Sequence, residues 1–264
     1  MSTDSTRKTI LVALGVCLVC SVLVSSAAVG LKSIQDKNRE LDKLKNILSA
    51  GNISLENANV RHLFNEKIES DIIDLSSGKI ISKNNYTDLL NPETFDIKAM
   101  AKNPKYNRTL NAGQDIAQIR QIPKNMVIYW VKEQGIVDKI ILPIYGKGLW
   151  STMYGFIALD KDLTTVRGFT FYEHGETPGL GGEVDNPSWK KSWVGKKIVN
   201  ETGKLEIEVI KEKVDPTDTN SIYQVDGLSG ATITTRGVNA LVRFWLSENG
   251  YGPFLDRLKS GELQ

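Results

Sequence analysis

The chain has 264 residues, of which 41% are apolar and 24% charged, a composition typical of a globular protein with room for a hydrophobic core. The net charge is only +2, and no basic stripe is interleaved with aromatic residues, so a nucleic-acid partner is not expected. The only cysteines, Cys17 and Cys20, lie in an uncharged N-terminal run, and the only histidines are His62 and His174. The rest of the chain therefore offers no disulfide framework and no thiolate site, and we predict no metal site.

The N-terminal segment predicts a single membrane span. No residue between 9 and 31 is charged, and the stretch exceeds the roughly 20 apolar residues that a bilayer-spanning helix needs. A cleaved signal peptide is the alternative, because Arg7 and Lys8 precede the stretch, but the apolar core of a signal peptide usually has only about 7–15 residues. We expect a retained anchor at 9–31 after a tail at 1–8. Basic residues flank the span on both sides, so charge leaves its orientation open.

Helical patterns and an irregular stretch follow the span. Apolar residues at helical spacing over 34–49 predict a stalk helix that continues from the span and ends at Gly51. A second helical pattern covers about 55–70, and the polar stretch 76–121 is rich in turn signals and has no clear assignment. We group 32–120 as a helical stalk and the irregular N-terminal part of the soluble domain, and 121–264 as the main domain.

The main domain begins with short apolar or alternating runs that are typical of strands. Strands are predicted at 126–131, 139–145, 154–159, 166–172, 204–210 and 222–225, with a helical stretch at 186–194. A last helix begins after Thr234 and Thr235, and one of its faces carries Val238, Leu241, Val242, Trp245 and Leu246. Strands and helices do not alternate regularly, so we predict an α+β fold with a mainly antiparallel sheet and flanking helices.

A glycine-rich turn precedes the last helix. Residues 226–236 read Asp-Gly-Leu-Ser-Gly-Ala-Thr-Ile-Thr-Thr-Arg. Glycines allow a ligand to approach the backbone closely, and the helix N-terminus offers unpaired N–H groups and the positive end of a dipole. This combination suits a phosphate group. A plain N-cap is the alternative, because Ser and Thr commonly begin helices and Asp-Gly marks turns. The residues alone leave both interpretations open.

This turn resembles the flavinylation motif of the FMN-binding domain family, in which the threonine after Ser-Gly-Ala carries FMN through a phosphoester bond. The resemblance implies covalent FMN on Thr232. It also implies that the neighbouring motif residues form part of the cofactor-binding site: Asp226, Ser229, Gly230, Ala231, Thr234 and Thr235.

Residues 174–182, His-Gly-Glu-Thr-Pro-Gly-Leu-Gly-Gly, resemble a second signature of the family, a loop that lies against the flavin. The resemblance implies cofactor contacts by Glu176, Thr177, Gly179, Leu180 and Gly181. A Gly-x-Gly-Leu-Trp segment adds Trp150. On this interpretation Leu180 and Trp150 cover the ring surface, and Thr177 tunes the flavin by hydrogen bonding.

The span, these motifs and Asn-Pro-Ser-Trp at 186–189 together resemble the family of C subunits of sodium-translocating NADH:quinone oxidoreductases over essentially the whole chain. The resemblance implies an FMN-binding domain at 121–264, a cytoplasmic N-terminal tail and a periplasmic domain on the bacterial inner membrane. It implies a flavoprotein component of a translocase that relays electrons toward ubiquinone and has no catalytic residue of its own. The expected partners are the other membrane subunits and a flavin transferase that uses FAD and magnesium.

Three alternatives remain at this stage. One is a flavoprotein similar to the G subunit of RNF-type complexes, which is usually shorter. Another is a membrane-tethered sensor that binds an anion or flavin without a covalent bond. The last is a hydrolase with Ser229 as nucleophile, His174 as base and Asp226 as orienting acid, although Ser229 does not lie in a Gly-x-Ser-x-Gly elbow.

Overall fold

The computed structural model describes residues 5–55 and 59–262. The chain divides into two compact units, Met1–Lys43 and Leu44–Gln264. Helix α1 (Thr6–Ala50) supplies the first unit, and its most apolar 18-residue window has a mean hydropathy of 2.6 and no buried residue. By length and composition this helix can cross a membrane. The helix continues without a break through the predicted stalk and ends next to Gly51, where a helix end was expected.

The second unit is built around one antiparallel sheet. The strands of this sheet are β1 (Ile68–Asp74), β4 (Asn125–Glu133), β5 (Ile136–Lys147), β6 (Thr152–Asp160) and β7 (Val166–Glu173), and their spatial order is β1-β4-β5-β6-β7. Two small sheets pair β2 (Asn107–Thr109) with β3 (Gln121–Pro123) and β8 (Glu208–Val209) with β9 (Gln224–Val225). Strand β5 is buried from Lys139 to Gly146, which agrees with a strand that is covered on both faces.

Among residues 59–262, five α-helices flank the sheet: α2 (Val60–Lys67), α3 (Ile97–Lys102), α4 (Pro187–Ser192), α5 (Thr232–Leu246) and α6 (Gly252–Lys259). Helix α5 lies on β5, where the indole N–H of Trp245 donates to the carbonyl of Tyr145 at 2.7 Å. The last turn of α1 also contributes Ile47 and Leu48 to the core. The predicted α+β class with a mainly antiparallel sheet is confirmed.

Most of the predicted elements agree with the structure, and several need correction. One is the strand predicted at 222–225, of which only Gln224–Val225 form β9, because Ile222 and Tyr223 belong to a 3-10 helix (Thr219–Tyr223). Strands β4 to β7 lie where the periodicity placed them. Helix α5 contains the predicted apolar face but begins at Thr232, before the predicted start after Thr235. The helix predicted at about 55–70 ends at Lys67, because Ile68, Ile72 and Ile73 are buried in β1, which pairs with β4. The strand predicted at 204–210 shrinks to the two residues of β8, since only those two pair with β9. The unassigned stretch holds α3 and β2, and α6 was not predicted.

The topology brings three distant segments to one end of the sheet. Strand β5 leads into β6 through the turn 148–151, and the register pairs Lys147 with Thr152. Strand β7 finishes at the same end of the sheet, where Glu173 pairs with Tyr154, and the loop 174–182 follows directly. The N-terminal part of helix α5 also lies at this end of the sheet, because the backbone of Gly237 packs against the carbonyl of Lys147.

Candidate functional site

A buried carboxylate, that of Glu176, joins these three segments. The residue is only 5% exposed. Oε1 accepts hydrogen bonds from the N–H groups of Trp150 at 3.0 Å and Ser151 at 3.3 Å. Oε2 accepts from the N–H of Leu149 at 3.1 Å and from the hydroxyl of Thr234 at 2.6 Å. One side chain therefore links the β5–β6 turn, the loop after β7 and the first turn of α5.

These hydrogen bonds determine the charge state of Glu176. Burial raises the pKa of its carboxyl, but the hydrogen bonds from Thr234 and from the N–H groups of Trp150, Leu149 and Ser151 lower the pKa by more. The pKa of Glu176 consequently lies below its ordinary value of 4.5, and the group is ionised at neutral pH. The site contains a buried negative charge that is fully hydrogen-bonded, as a buried carboxylate must be.

We expect the contribution of Glu176 to stability to disappear in acid. A carboxyl with a lower pKa in the folded chain stabilises the fold above its unfolded pKa, and this stabilisation is lost as the pH falls through the folded pKa. The thermal unfolding midpoints of the wild-type chain and Glu176→Gln should differ most near about pH 7, and the difference should narrow below about pH 4.5. A difference that stays constant down to about pH 3 would contradict this assignment.

Two glycines leave the space that the carboxylate occupies. A Cβ on Gly148 would lie 2.5 Å from Oε1 of Glu176. A Cβ on Gly181 would lie 2.5 Å from the hydroxyl oxygen of Thr234 and 2.9 Å from Oε2 of Glu176. All three distances are shorter than van der Waals contact, so only glycine allows these backbones to approach the hydrogen-bonded pair.

The loop after Glu176 turns sharply and presents Leu180 at the surface. The carbonyl of Thr177 accepts hydrogen bonds from the N–H groups of Leu180 at 3.1 Å and Gly182 at 2.9 Å, and Gly179 has a φ of 76°. Leu180 is 46% exposed, and its Cδ2 lies 3.2 Å from where a Cβ on Gly230 would be. The two motifs singled out in the sequence are thus direct neighbours.

The three threonines at the start of α5 differ in the partners of their hydroxyls. Thr235 is buried, and its hydroxyl accepts from the N–H of Leu228 at 3.0 Å and donates to the carbonyl of Ala231 at 3.0 Å. Thr234 is buried and donates to the carboxylate described above. Thr232 is the first residue of α5 and only partly buried, and its hydroxyl makes no hydrogen bond to any residue of 5–55 or 59–262. Of the three hydroxyls, that of Thr232 is available for a substituent.

Asp226 and its neighbours shape the turn before α5. Its carboxylate accepts from the N–H of Val214 at 2.8 Å, and its carbonyl accepts from the indole N–H of Trp189 at 2.8 Å. Ser229 and Gly230 are exposed, whereas Ala231 is buried at the N-cap position and offers no side-chain cap. Asp226 therefore fixes the approach to the turn, and the tip of the turn is open to solvent.

The hydrolytic triad is not assembled. His174 Nε2 lies 2.7 Å from Oδ2 of Asp185, and its Nδ1 accepts from the N–H of Glu176 at 3.2 Å. Because Nδ1 accepts, the proton of the neutral ring is on Nε2 and points to Asp185. Both nitrogens of His174 are thus engaged away from Ser229, and Asp226 holds the backbone of another loop.

Large apolar side chains are exposed on the same segments. They are Leu149 at 40%, Trp150 at 67%, Leu180 at 46% and Ile233 at 56%. Leu149 and Ile233 lie within the sequence motifs, beside Trp150 and Thr232, but the sequence analysis did not name them as site residues. Exposed apolar groups on adjoining segments are typical of a ligand or partner site. A free hydroxyl, a helix N-terminus and this apolar surface fit the phosphate and the planar ring of FMN.

Comparison with known proteins agrees with this fit. Residues 148–247 match the family model of the FMN-binding domain, and they include every residue of the site described above. The fold and the site define a membrane-anchored FMN-binding domain protein.

The relatives identify the family. The chain is 47% identical over 262 residues to the C subunit of the Na(+)-translocating NADH-quinone reductase of Pseudomonas aeruginosa, with 98% of each chain covered. It is 44% identical over 265 residues to the corresponding protein of Yersinia pestis, covering 99% of this chain and 96% of the relative. The chain belongs to the family of C subunits of Na(+)-translocating NADH-quinone reductases, which are multisubunit enzymes, and this confirms the resemblance seen in the sequence.

A solved structure supports the fold independently. The crystal structure of Shewanella oneidensis NqrC superposes with a TM-score of 0.76 at 33% identity, covering 85% of this chain and 99% of that chain. The antiparallel sheet with its flanking helices is therefore the fold of this family.

Proposed function

We propose that this chain is an electron carrier that holds FMN on Thr232 through a phosphoester bond and relays electrons toward quinone within a Na(+)-translocating NADH-quinone reductase. The observation that carries the proposal is the free hydroxyl of Thr232 beside two threonines whose hydroxyls are bonded and buried. A phosphoryl group on this hydroxyl lies at the N-terminus of α5, where unpaired N–H groups and the helix dipole stabilise negative charge.

The attachment requires a separate enzyme, for which this chain is the substrate. The hydroxyl oxygen of Thr232 forms the new bond to phosphorus and loses its proton, while the pyrophosphate bond of FAD breaks and AMP leaves. The exposed tip at Ser229 and Gly230 gives a flavin transferase access to the turn. The magnesium ion that this reaction uses belongs to the transferase.

Bound FMN supplies reversible electron transfer, and the protein supplies orientation, electrostatics and access. Trp150, Leu180 and Ile233 offer apolar surface for the ring. Thr177 and the N–H groups of its loop are the candidate hydrogen-bond partners of the flavin. A covalent bond keeps the cofactor on a carrier that faces bulk solvent, because loss then requires breaking a chemical bond.

The proposed location is the bacterial inner membrane, with residues 1–8 in the cytoplasm and the FMN-binding domain in the periplasm. Support comes from the long apolar helix and from membership in the family described above. Residues 9–31 include no Asp, Glu, Lys, Arg or His, so the span offers no charged side chain for an ion path. Sodium transport would therefore depend on the other membrane subunits with which this chain assembles.

The test is intact mass and peptide mapping of the full chain coexpressed with its flavin transferase. We expect one FMN phosphoryl group on Thr232, retained after denaturation. A flavin that leaves on denaturation would instead support the non-covalent sensor. Unmodified chain, with a transferase that modifies a control substrate, would refute the proposal. Copurified subunits would distinguish the NADH-quinone reductase from an RNF-type complex.

A further inference from the structure

We propose that Glu176 is a positioning residue: its buried carboxylate holds the first turn of α5, and with it the acceptor Thr232, in register with the Trp150 segment. This inference rests on the proposed covalent flavin. It assigns to Glu176 a role that acts through Thr234 and through backbone N–H groups, with no direct contact to the flavin required.

The hydrogen bonds of Glu176 constrain backbone as well as side chains. Three consecutive N–H groups, those of Leu149, Trp150 and Ser151, point to one carboxylate, an arrangement in which successive N–H groups form an anion-binding concavity. Here the protein supplies the anion itself. The N–H of Gly148 closes the turn by donating to the carbonyl of Ser151 at 2.8 Å, and Glu176 satisfies the other three N–H groups of the turn. Within the described residues these three N–H groups have no other acceptor, so Glu176 fixes where the turn that carries Trp150 lies relative to the loop after β7.

The fourth hydrogen bond transmits this constraint to the acceptor. Thr234 lies in the first turn of α5, two residues after Thr232, so its bond to Oε2 fixes both the rotation and the distance of that turn. The same bond occupies the hydroxyl of Thr234 and leaves that of Thr232 as the free one. Without the carboxylate, four donors in a buried place would lose their acceptor, which destabilises their present arrangement.

The close fit of Gly148 and Gly181 around the bonded pair indicates that the backbone is shaped to hold this carboxylate. The exposed side chains of Trp150 and Leu180 lie on the segments that the carboxylate joins. A loss of Glu176 therefore disturbs the acceptor and the apolar surface together, while the hydrophobic core around the sheet keeps its contacts.

The experiment compares flavinylation of full-length variants coexpressed with the flavin transferase. Glu176→Gln keeps the size of the side chain, but its amide cannot accept at both ends, so we expect the initial rate of FMN attachment to fall by about tenfold or more. For Thr234→Val the rate of FMN attachment should fall by a smaller factor. For Thr234→Ser, which keeps the hydroxyl, the rate should remain close to that of the wild-type chain. Equal rates for the valine and serine variants would overturn the proposal, even where Glu176→Gln fails to fold.

Asp162→Asn is the matched control. Asp162 is exposed, but its carboxylate also accepts two backbone N–H bonds, a threonine hydroxyl and a lysine ammonium. Partial desolvation raises the pKa of this carboxyl, and the hydrogen bonds lower the pKa by more, to well below the usual range. Asp162 lies in the β6–β7 turn, at the opposite end of these strands from Glu176. The control should lower the unfolding temperature by less than Glu176→Gln, because the donors around the exposed Asp162 can turn to water, and it should leave the rate of FMN attachment unchanged.

A spectroscopic readout separates positioning from stability. In the fraction of Glu176→Gln that does acquire flavin, the ring should be more mobile, seen as lower fluorescence anisotropy below the unfolding temperature, and Asp162→Asn should match wild type. Wild-type rate and anisotropy in folded Glu176→Gln would overturn the positioning role alone. A wild-type chain without covalent FMN, beside an active transferase, would overturn both this inference and the proposed function.

Discussion

Thr232→Val should abolish covalent FMN and leave a folded chain. Valine has nearly the shape of threonine and lacks only the hydroxyl, which makes no hydrogen bond within residues 5–55 and 59–262. No bond is broken by the substitution, so the free energy of unfolding should change by no more than about 0.5 kcal/mol. Intact mass and in-gel flavin fluorescence after denaturation measure the loss of cofactor, and thermal unfolding measures the fold.

Thr235→Val is the matched control for this prediction. The hydroxyl of Thr235 accepts from the buried N–H of Leu228, so its removal leaves that donor unsatisfied and should cost about 1–3 kcal/mol. This hydroxyl is not the proposed acceptor, and the folded fraction should still carry FMN. Thr232→Val should thus lose flavin and keep its stability, whereas Thr235→Val should lose stability and keep its flavin. If flavin stays bound to denatured Thr232→Val, the assignment of Thr232 is wrong, and Thr234 or Thr235 becomes the candidate acceptor.

The fold was largely predictable where the apolar pattern had one interpretation. Strands β4 to β7 are short apolar runs between turn signals, and α5 has a clear helical period. The region 55–70 contains apolar residues that fit both a helix and a strand, and only pairing with β4 decides for β1. Similarly, β8 stops after two residues because its partner β9 is equally short. Such decisions depend on the tertiary partner, which local periodicity does not contain.

The candidate site was predictable as a set of motifs and unpredictable as a network. The sequence placed Glu176 in a loop that resembles a family signature, but three of its four hydrogen-bond donors are backbone N–H groups of the turn 148–151. Backbone N–H groups have no signature in the sequence, so neither the burial of Glu176 nor its link to Thr234 could be inferred. The choice among three threonines likewise depends on which hydroxyls the tertiary structure engages.

The largest loss of stability is expected for Trp245→Ala. Trp245 is fully buried, and its ring packs against those of Tyr145, Phe244 and Tyr251 at centroid distances of 5.0, 5.4 and 5.4 Å. Its indole N–H also holds the carbonyl of Tyr145 at the end of β5. Truncation leaves a large cavity between α5 and the sheet, for which about 3–5 kcal/mol is expected. Thermal unfolding of the full-length chain in detergent measures this loss.

Trp245→Phe should cost less than the alanine variant, because it keeps an aromatic ring and loses the N–H. Equal costs would contradict a cavity as the main cause. Trp245 lies about 20 Å along α5 from Thr232, given the rise of about 1.5 Å per residue, so neither variant should alter flavin attachment at temperatures where the chain is folded. Loss of Glu176 should instead lower the rate of flavin attachment even at temperatures where the chain is folded. These results would give the two ends of α5 separable roles: the C-terminal end anchors the helix to the sheet, and the N-terminal end presents the proposed acceptor Thr232.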